Sequence, residues 1–202
     1  MKPPSANSNN QSIQQQAETQ ETRLRQENAR KAREAADQLF PNEQWKSVED
    51  GIYLSPRRPI GKHTRYQDEL RIACILKNLG STVYLTPEAR SEPGKKYDAI
   101  VNGLKFEFKN VGGNANTLFT HFLNSRSQAP NVFINLENSN LTQREAISAL
   151  YGARNSKTHT TKRGNIIKGY ADYNKFAGGR IILKLKGHES LIYLNVDDLK
   201  LP

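Results

Sequence analysis

Apolar positions divide the chain into a sparse N-terminal stretch and a denser remainder. Residues 1–17 are mostly Asn, Gln, Ser and Pro. Such a segment buries too little surface to offset the ordering of its backbone, so it is predicted to be disordered. Residues 18–39 are rich in Glu, Arg, Ala and Gln, all good helix formers. Their apolar positions are few: Leu24, several alanines and Leu39. That pattern predicts a solvated helix or tether, ended by Pro41. The chain therefore reads as an N-terminal extension over residues 1–44, disordered then helical, and one domain over 45–202.

Beyond Trp45 the elements become distinct. Thr64 with Gln67 forms a capping box, and Ile72, Ile75, Leu76 and Leu79 follow on one helical face until Gly80. Residues 81–86 read as a strand and 97–109 as a hairpin. Leu118, Phe119, Phe122 and Leu123 predict a helix over 115–128, stopped by Pro130. Val132–Leu136 is a strand. Thr142 with Glu145 is a second capping box, opening a helix through Ala146, Ile147, Leu150 and Tyr151. Residues 154–180 read as a basic loop, and 181–185 with 191–196 as a closing hairpin. The order α-β-β-β-α-β, then a helix and a terminal hairpin, predicts an α/β domain with a mixed sheet flanked by helices.

The hairpin carries the candidate chemistry. Asn102-Gly103 favours a two-residue type I′ turn, which places Asp98 opposite Glu107. Alternation puts Tyr97, Ala99, Val101, Leu104, Phe106 and Phe108 on one face, and Asp98, Ile100, Lys105, Glu107 and Lys109 on the other. Facing carboxylates repel unless a divalent cation lies between them. Asp98 followed by Glu107-Phe108-Lys109 matches the PD-(D/E)XK nuclease signature. In that chemistry two carboxylates hold Mg²⁺ and the lysine supports the attacking water and the phosphate's developing charge. A solvated strand face with a structural ion pair is the plainer alternative. Glu69, in the first turn of the preceding helix, is a candidate third ligand or water-positioner, or else a charge that complements the helix dipole.

Composition narrows the partners. Hydrophobic residues make up 36% of the 202, and mean hydropathy is −0.76. No run approaches the ~20 apolar residues of a membrane span, and no signal-peptide pattern opens the chain. Cys74 is the single cysteine, which excludes an internal disulfide and a multi-cysteine zinc site. The net charge of +10 is uneven: residues 1–50 carry −1 and residues 51–202 carry +11. A basic domain suits a polyanion, above all a nucleic acid. Candidate contacts are Arg57, Arg58, Lys62 and Arg65 beside the hairpin, and Arg154, Lys157, Lys162, Arg163 and Lys168 in the basic loop, where aromatics are interleaved. The histidines are scattered. His159 reads as an exposed loop residue or as an acid–base helper in RNA cleavage.

The stretches YQDELRIACILKNLGSTVYLTP, YDAIVNGLKFEFKNVGG and TLFTHFLNSRSQAPNVFIN resemble the C-terminal tRNase domain of contact-dependent growth-inhibition (CdiA-type) toxins. These belong to the wider polymorphic-toxin group with a PD-(D/E)XK fold. The resemblance spans about residues 55–137 well and the rest loosely. It maps the family's helix Glu, Asp, second acid and Lys onto Glu69, Asp98, Glu107 and Lys109. It also implies a substrate contact for Gln128, which reads equally as a polar helix end. The implied activity is cleavage of tRNA in the cytoplasm of a target bacterium, with Mg²⁺ or another divalent cation such as Mn²⁺ or Zn²⁺. A cognate immunity protein is implied too, and a basic domain calls for an acidic one. The chain departs from the family in lacking the VENN tetrapeptide that precedes many such toxin tips. A DNA endonuclease of the same fold, or a non-catalytic nucleic-acid-binding module, are the other readings.

Overall fold

In this computed structural model, residues 6–58, 64–87, 97–126, 128–155, 158–160, 166–168 and 178–200 are described. The chain runs α1 (Ala6–Leu39), β1 (Lys46–Glu49), β2 (Ile52–Leu54), α2 (Thr64–Asn78), β3 (Val83–Leu85), β4 (Ala99–Val101) and β5 (Leu104–Asn110). It continues through α3 (Ala115–Arg126), β6 (Asn131–Leu136), α4 (Gln143–Asn155), β7 (Thr158–Thr160), β8 (Ile166–Lys168), β9 (Arg180–Leu185) and β10 (Ile192–Asn195). Eight strands form one mixed sheet in the order β1-β2-β3-β4-β5-β6-β9-β10, and β7 pairs with β8 alone. The predicted α-β-β-β-α-β core is α2 to β6. Among the described residues no helix is long and apolar enough to cross a membrane.

The hairpin adopts the register its turn dictates. Asn102 and Gly103 have φ of 49° and 86°, both positive as a type I′ turn requires. Val101 pairs with Leu104, Ile100 with Lys105 and Ala99 with Phe106. Parallel pairing of β5 with β6, and of β6 with β9, follows from the helical crossovers between them.

Alternation along the strands gives each face its own core. On one side Ile72, Ala73 and Leu76 of α2 cover Val83, Leu85, Ala99, Val101, Phe106 and Phe108. On the other, α3 and α4 bring Leu118, Phe122, Leu123, Ala146 and Leu150 onto Val132, Ile134, Ile181 and Leu183. The same side is closed over β3 and β4 by α1, whose Ala32 and Ala36 pack on Tyr84 and Ile100.

Several expectations change here. Helix α1 begins at Ala6, inside the stretch predicted as disordered. Its C-terminal part is no solvated tether, since Ala32 and Ala36 are fully buried. Small side chains let its backbone approach closely, and a Cβ on Gly103 would lie 3.1 Å from the Lys31 carbonyl oxygen. Strands β1 and β2 were not predicted. The basic loop contains the short β7–β8 pair. Helix α3 ends at Arg126 and leaves Gln128 in the following turn, while Asn114 caps its start by accepting from the Thr117 N–H at 3.2 Å. The second capping box forms as predicted: the Glu145 N–H donates to Thr142 Oγ1 at 3.3 Å, and the Thr142 N–H to Glu145 Oε2 at 2.8 Å. Leu104, assigned to the apolar face, is 42% exposed because it borders the turn.

Candidate active site

The site forms where β4 begins and β5 nears its end. Thr86, just past β3, donates its N–H to the Asp98 carbonyl at 3.0 Å, and the Asp98 N–H donates to the Phe106 carbonyl at 3.0 Å. The Phe108 N–H donates to Asp98 Oδ2 at 2.9 Å, so a side-chain carboxylate satisfies a strand donor. This fixes the Asp98 carboxylate against β5. Phe106 and Phe108 anchor β5 in the core beneath α2, which turns the intervening Glu107 to the opposite face.

Glu107 is fully buried, and Asp98 nearly so. Burial, and then the negative charge of Asp98, pushes the Glu107 carboxyl up to about 8, against the pull of Lys109. The Lys109 ammonium contacts Glu107 Oε1. The second oxygen, Oε2, is buried with no donor among the described residues.

Two arginines face these acids from the α2 side. Arg58 is 3% exposed and donates to Glu69 Oε2, the Thr86 carbonyl and the Asp98 carbonyl. Arg65, on the first turn of α2, bridges two carboxylates: Nε lies 3.0 Å from Glu69 Oε1 and Nη2 lies 3.1 Å from Asp98 Oδ1. Burial, the largest influence, raises the Glu69 carboxyl, and Asp98 adds to it while both arginines oppose it.

The structure thus gathers Asp98, Glu107 and Lys109 as the spacing predicted, and adds Glu69 through its arginines. The basic candidates separate. Arg58 is corrected from a surface phosphate contact to a buried strut, because its charge is matched by Glu69 inside the protein. Arg57 remains exposed and pairs with Glu43 at 2.8 Å. Arg154 Nη1 donates to the Leu199 carbonyl at 2.8 Å, tying α4 to the C-terminal segment. The Gln128 N–H closes the turn after α3 on the Ser125 carbonyl at 2.9 Å. Lys62, Lys157, Lys162 and Arg163 lie outside the described residues, as do the side chains of Lys168 and His159.

One neighbour was missed. His121 projects from α3 close enough for Lys109's charge to act on it, and burial, then that charge, lowers its pKa. Its signal was present, since Leu118, His121, Phe122 and Ser125 share the sheet-facing side of one helix.

A divalent cation suits part of this arrangement. Asp98 and Glu107 offer hard carboxylate oxygens side by side, and the donorless Glu107 Oε2 is an acceptor that a cation would satisfy. Glu69 does not complete a ligand set as it stands, because both its oxygens face guanidinium groups. Among the described residues no group of three or more His, Cys, Asp and Glu side chains is arranged to hold a metal.

No family model matches the sequence, and no curated protein matches it. Among solved structures the fold is similar to a chain of the CdiA-CT/CdiI toxin and immunity complex from Burkholderia pseudomallei, with a TM-score of 0.48 and 20% identity over 71% of this chain and 98% of that one.

Proposed function

We propose that this protein is a metal-dependent endonuclease that cleaves tRNA, acting as a growth-inhibition toxin of PD-(D/E)XK type. The observation that carries the reading is the buried Asp98–Glu107 pair, with one oxygen lacking a donor and the Lys109 ammonium reaching in. Such a pair destabilises the protein that holds it, and a module that only binds nucleic acid has no use for it. The sequence resemblance over about residues 55–137 favours tRNA over duplex DNA and favours a toxin with an acidic immunity partner.

Each residue then has a role. Asp98, fixed by the Phe108 N–H, and Glu107 would hold the cation, Mg²⁺ or a close substitute. A cation held there would supply charge neutralisation and polarise the phosphodiester. Lys109 sets a positive charge where the phosphate gains negative charge. Arg58 orients Glu69 as the third acid. Exposed Arg57 stands beside the site, where a cation favours a polyanionic backbone. The inhibitor would cover the hairpin face from Asp98 to Lys109 or the basic segment 154–186.

Incubation with total bacterial tRNA in Mg²⁺ or in EDTA tests the reading, beside Asp98→Ala and Lys109→Ala. Discrete fragments that need metal and vanish in both variants are expected. Intact tRNA alongside cut duplex DNA would replace the substrate. Two intact substrates would leave a binding module.

A further inference from the structure

The arginine that bridges the two carboxylates does not behave like its buried neighbour. Arg58 has a 2%-exposed side chain with three protein acceptors, so it cannot leave without stranding the buried Glu69 Oε2. The Arg65 side chain is 58% exposed, and its guanidinium closes the gap between Glu69 and Asp98 from the solvent side. It sits on the first turn of α2, where the helix dipole disfavours positive charge, and it shares Glu69 with a second guanidinium. Glu69 and Asp98 already face Arg58 and Arg65, and Glu107 faces Lys109. A divalent cation on Asp98 would add charge that repels Arg65.

We propose that Arg65 is an exchangeable counter-ion: it holds Asp98 and Glu69 in the metal-free protein, yields them to the divalent cation, and swings outward onto the phosphate backbone of the incoming nucleic acid. The proposal rests on the metal-dependent reading above. It assigns Arg65 two opposite effects, competition with the metal and attraction of the substrate, which a merely structural arginine would not show. It also explains why Glu69 lacks an open oxygen in the metal-free state. With Arg65 withdrawn, Glu69 Oε1 would be open to the cation while Arg58 keeps Oε2.

Calorimetric titration of the full chain with Mn²⁺, and binding of labelled tRNA in EDTA, separate the two effects. Arg65→Gln is expected to bind Mn²⁺ about fivefold tighter and tRNA several-fold weaker than the parent. Arg65→Lys keeps the charge without the two-carboxylate bridge, so it should tighten Mn²⁺ while retaining most tRNA affinity. It also carries the test if the Gln variant folds poorly. Unchanged or weaker Mn²⁺ binding in a folded variant, with the parent binding Mn²⁺, overturns the exchange and leaves the nuclease reading intact. No Mn²⁺ uptake by parent or variants overturns both.

Discussion

The two halves of the sheet hold different kinds of interior. All six residues of β6 are buried, and Val132, Ile134 and Leu136 interlock with β9, α3 and α4. Its two asparagines are satisfied locally: Asn131 donates to the Lys105 carbonyl at 2.9 Å, and Asn135 accepts from the Glu137 N–H at 3.1 Å. The β4–β5 half instead buries a cluster of ionisable groups, Asp98, Glu107, Glu69 and Arg58, where the β6 half buries Arg126 alone among the described residues, its Nη1 donating to the Pro130 carbonyl at 3.0 Å. Ionisable groups lose solvation on burial and regain only part of it from one another. The difference teaches a division of labour. The apolar half supplies a surplus of stability, and the charged half spends it on a preorganised cluster.

Truncation in each half should show this directly. Phe122→Ala removes a fully buried ring from beneath α3 and should lower unfolding free energy by about 3–5 kcal/mol in urea titration. A loss under about 1.5 kcal/mol would mean that the α3–α4 core is not the stabilising half. Arg58→Ala should cost about 3–5 kcal/mol for another reason, because it strips Glu69 of its buried partner and leaves only the exposed Arg65 beside it. The sharper comparison is Arg58→Leu combined with Glu69→Leu. An apolar pair should restore most of that loss, as replaced buried ion pairs often do, whereas no double substitution rescues Phe122→Ala so simply. If the double variant is no more stable than Arg58→Ala, the charged half contributes to stability as much as the apolar one.

Next in size is the pH response of metal-free protein. Glu107 is raised to about 8 in the folded state from an ordinary value of 4.5. Between those values the unfolded chain has released the proton that the folded chain keeps. The stability Glu107 contributes is therefore fully present below about pH 4.5 and is lost as pH rises through about 8. In EDTA, melting temperature should fall from pH 5.5 toward pH 8.5. Glu107→Gln should flatten that decline and be more stable than the parent at the alkaline end. An equally steep decline in the variant would place the titration elsewhere.

What the sequence disclosed follows from the range of the interactions involved. The hairpin register was legible because one dipeptide and strict alternation determine it locally. Asp98, Glu107 and Lys109 came with it. Strands β1 and β2 also carried a local sign, Asp50-Gly51 with Gly51 at φ 79°, though only Glu49 and Ile52 flank the turn directly and the strands are short. Other features had no local sign. Arg58 reads as surface because its neighbours are basic, and its partner Glu69 lies on another element. Helix α1 reads as a solvated rod because its buried face is made of alanines. The bridging position of Arg65 depends on α2 meeting β4, which tertiary packing alone decides.

The smallest effect tests whether stability in the apolar half is built from independent parts. Thr142 and Glu145 form a reciprocal cap at the exposed start of α4, away from both cores. Thr142→Ala should cost about 1 kcal/mol in urea titration, the usual worth of such a cap. Because α4 touches β6 and β9 through Ala146 and Leu150 and not the acid cluster, metal binding and the pH profile should not move. Additivity with Arg58→Ala, within about 0.5 kcal/mol, would show that the two halves are energetically separate. A larger coupling would mean that the cap's loss is felt at the carboxylates. The sheet would then act as one unit, with the apolar half setting the geometry of the site as well as its stability.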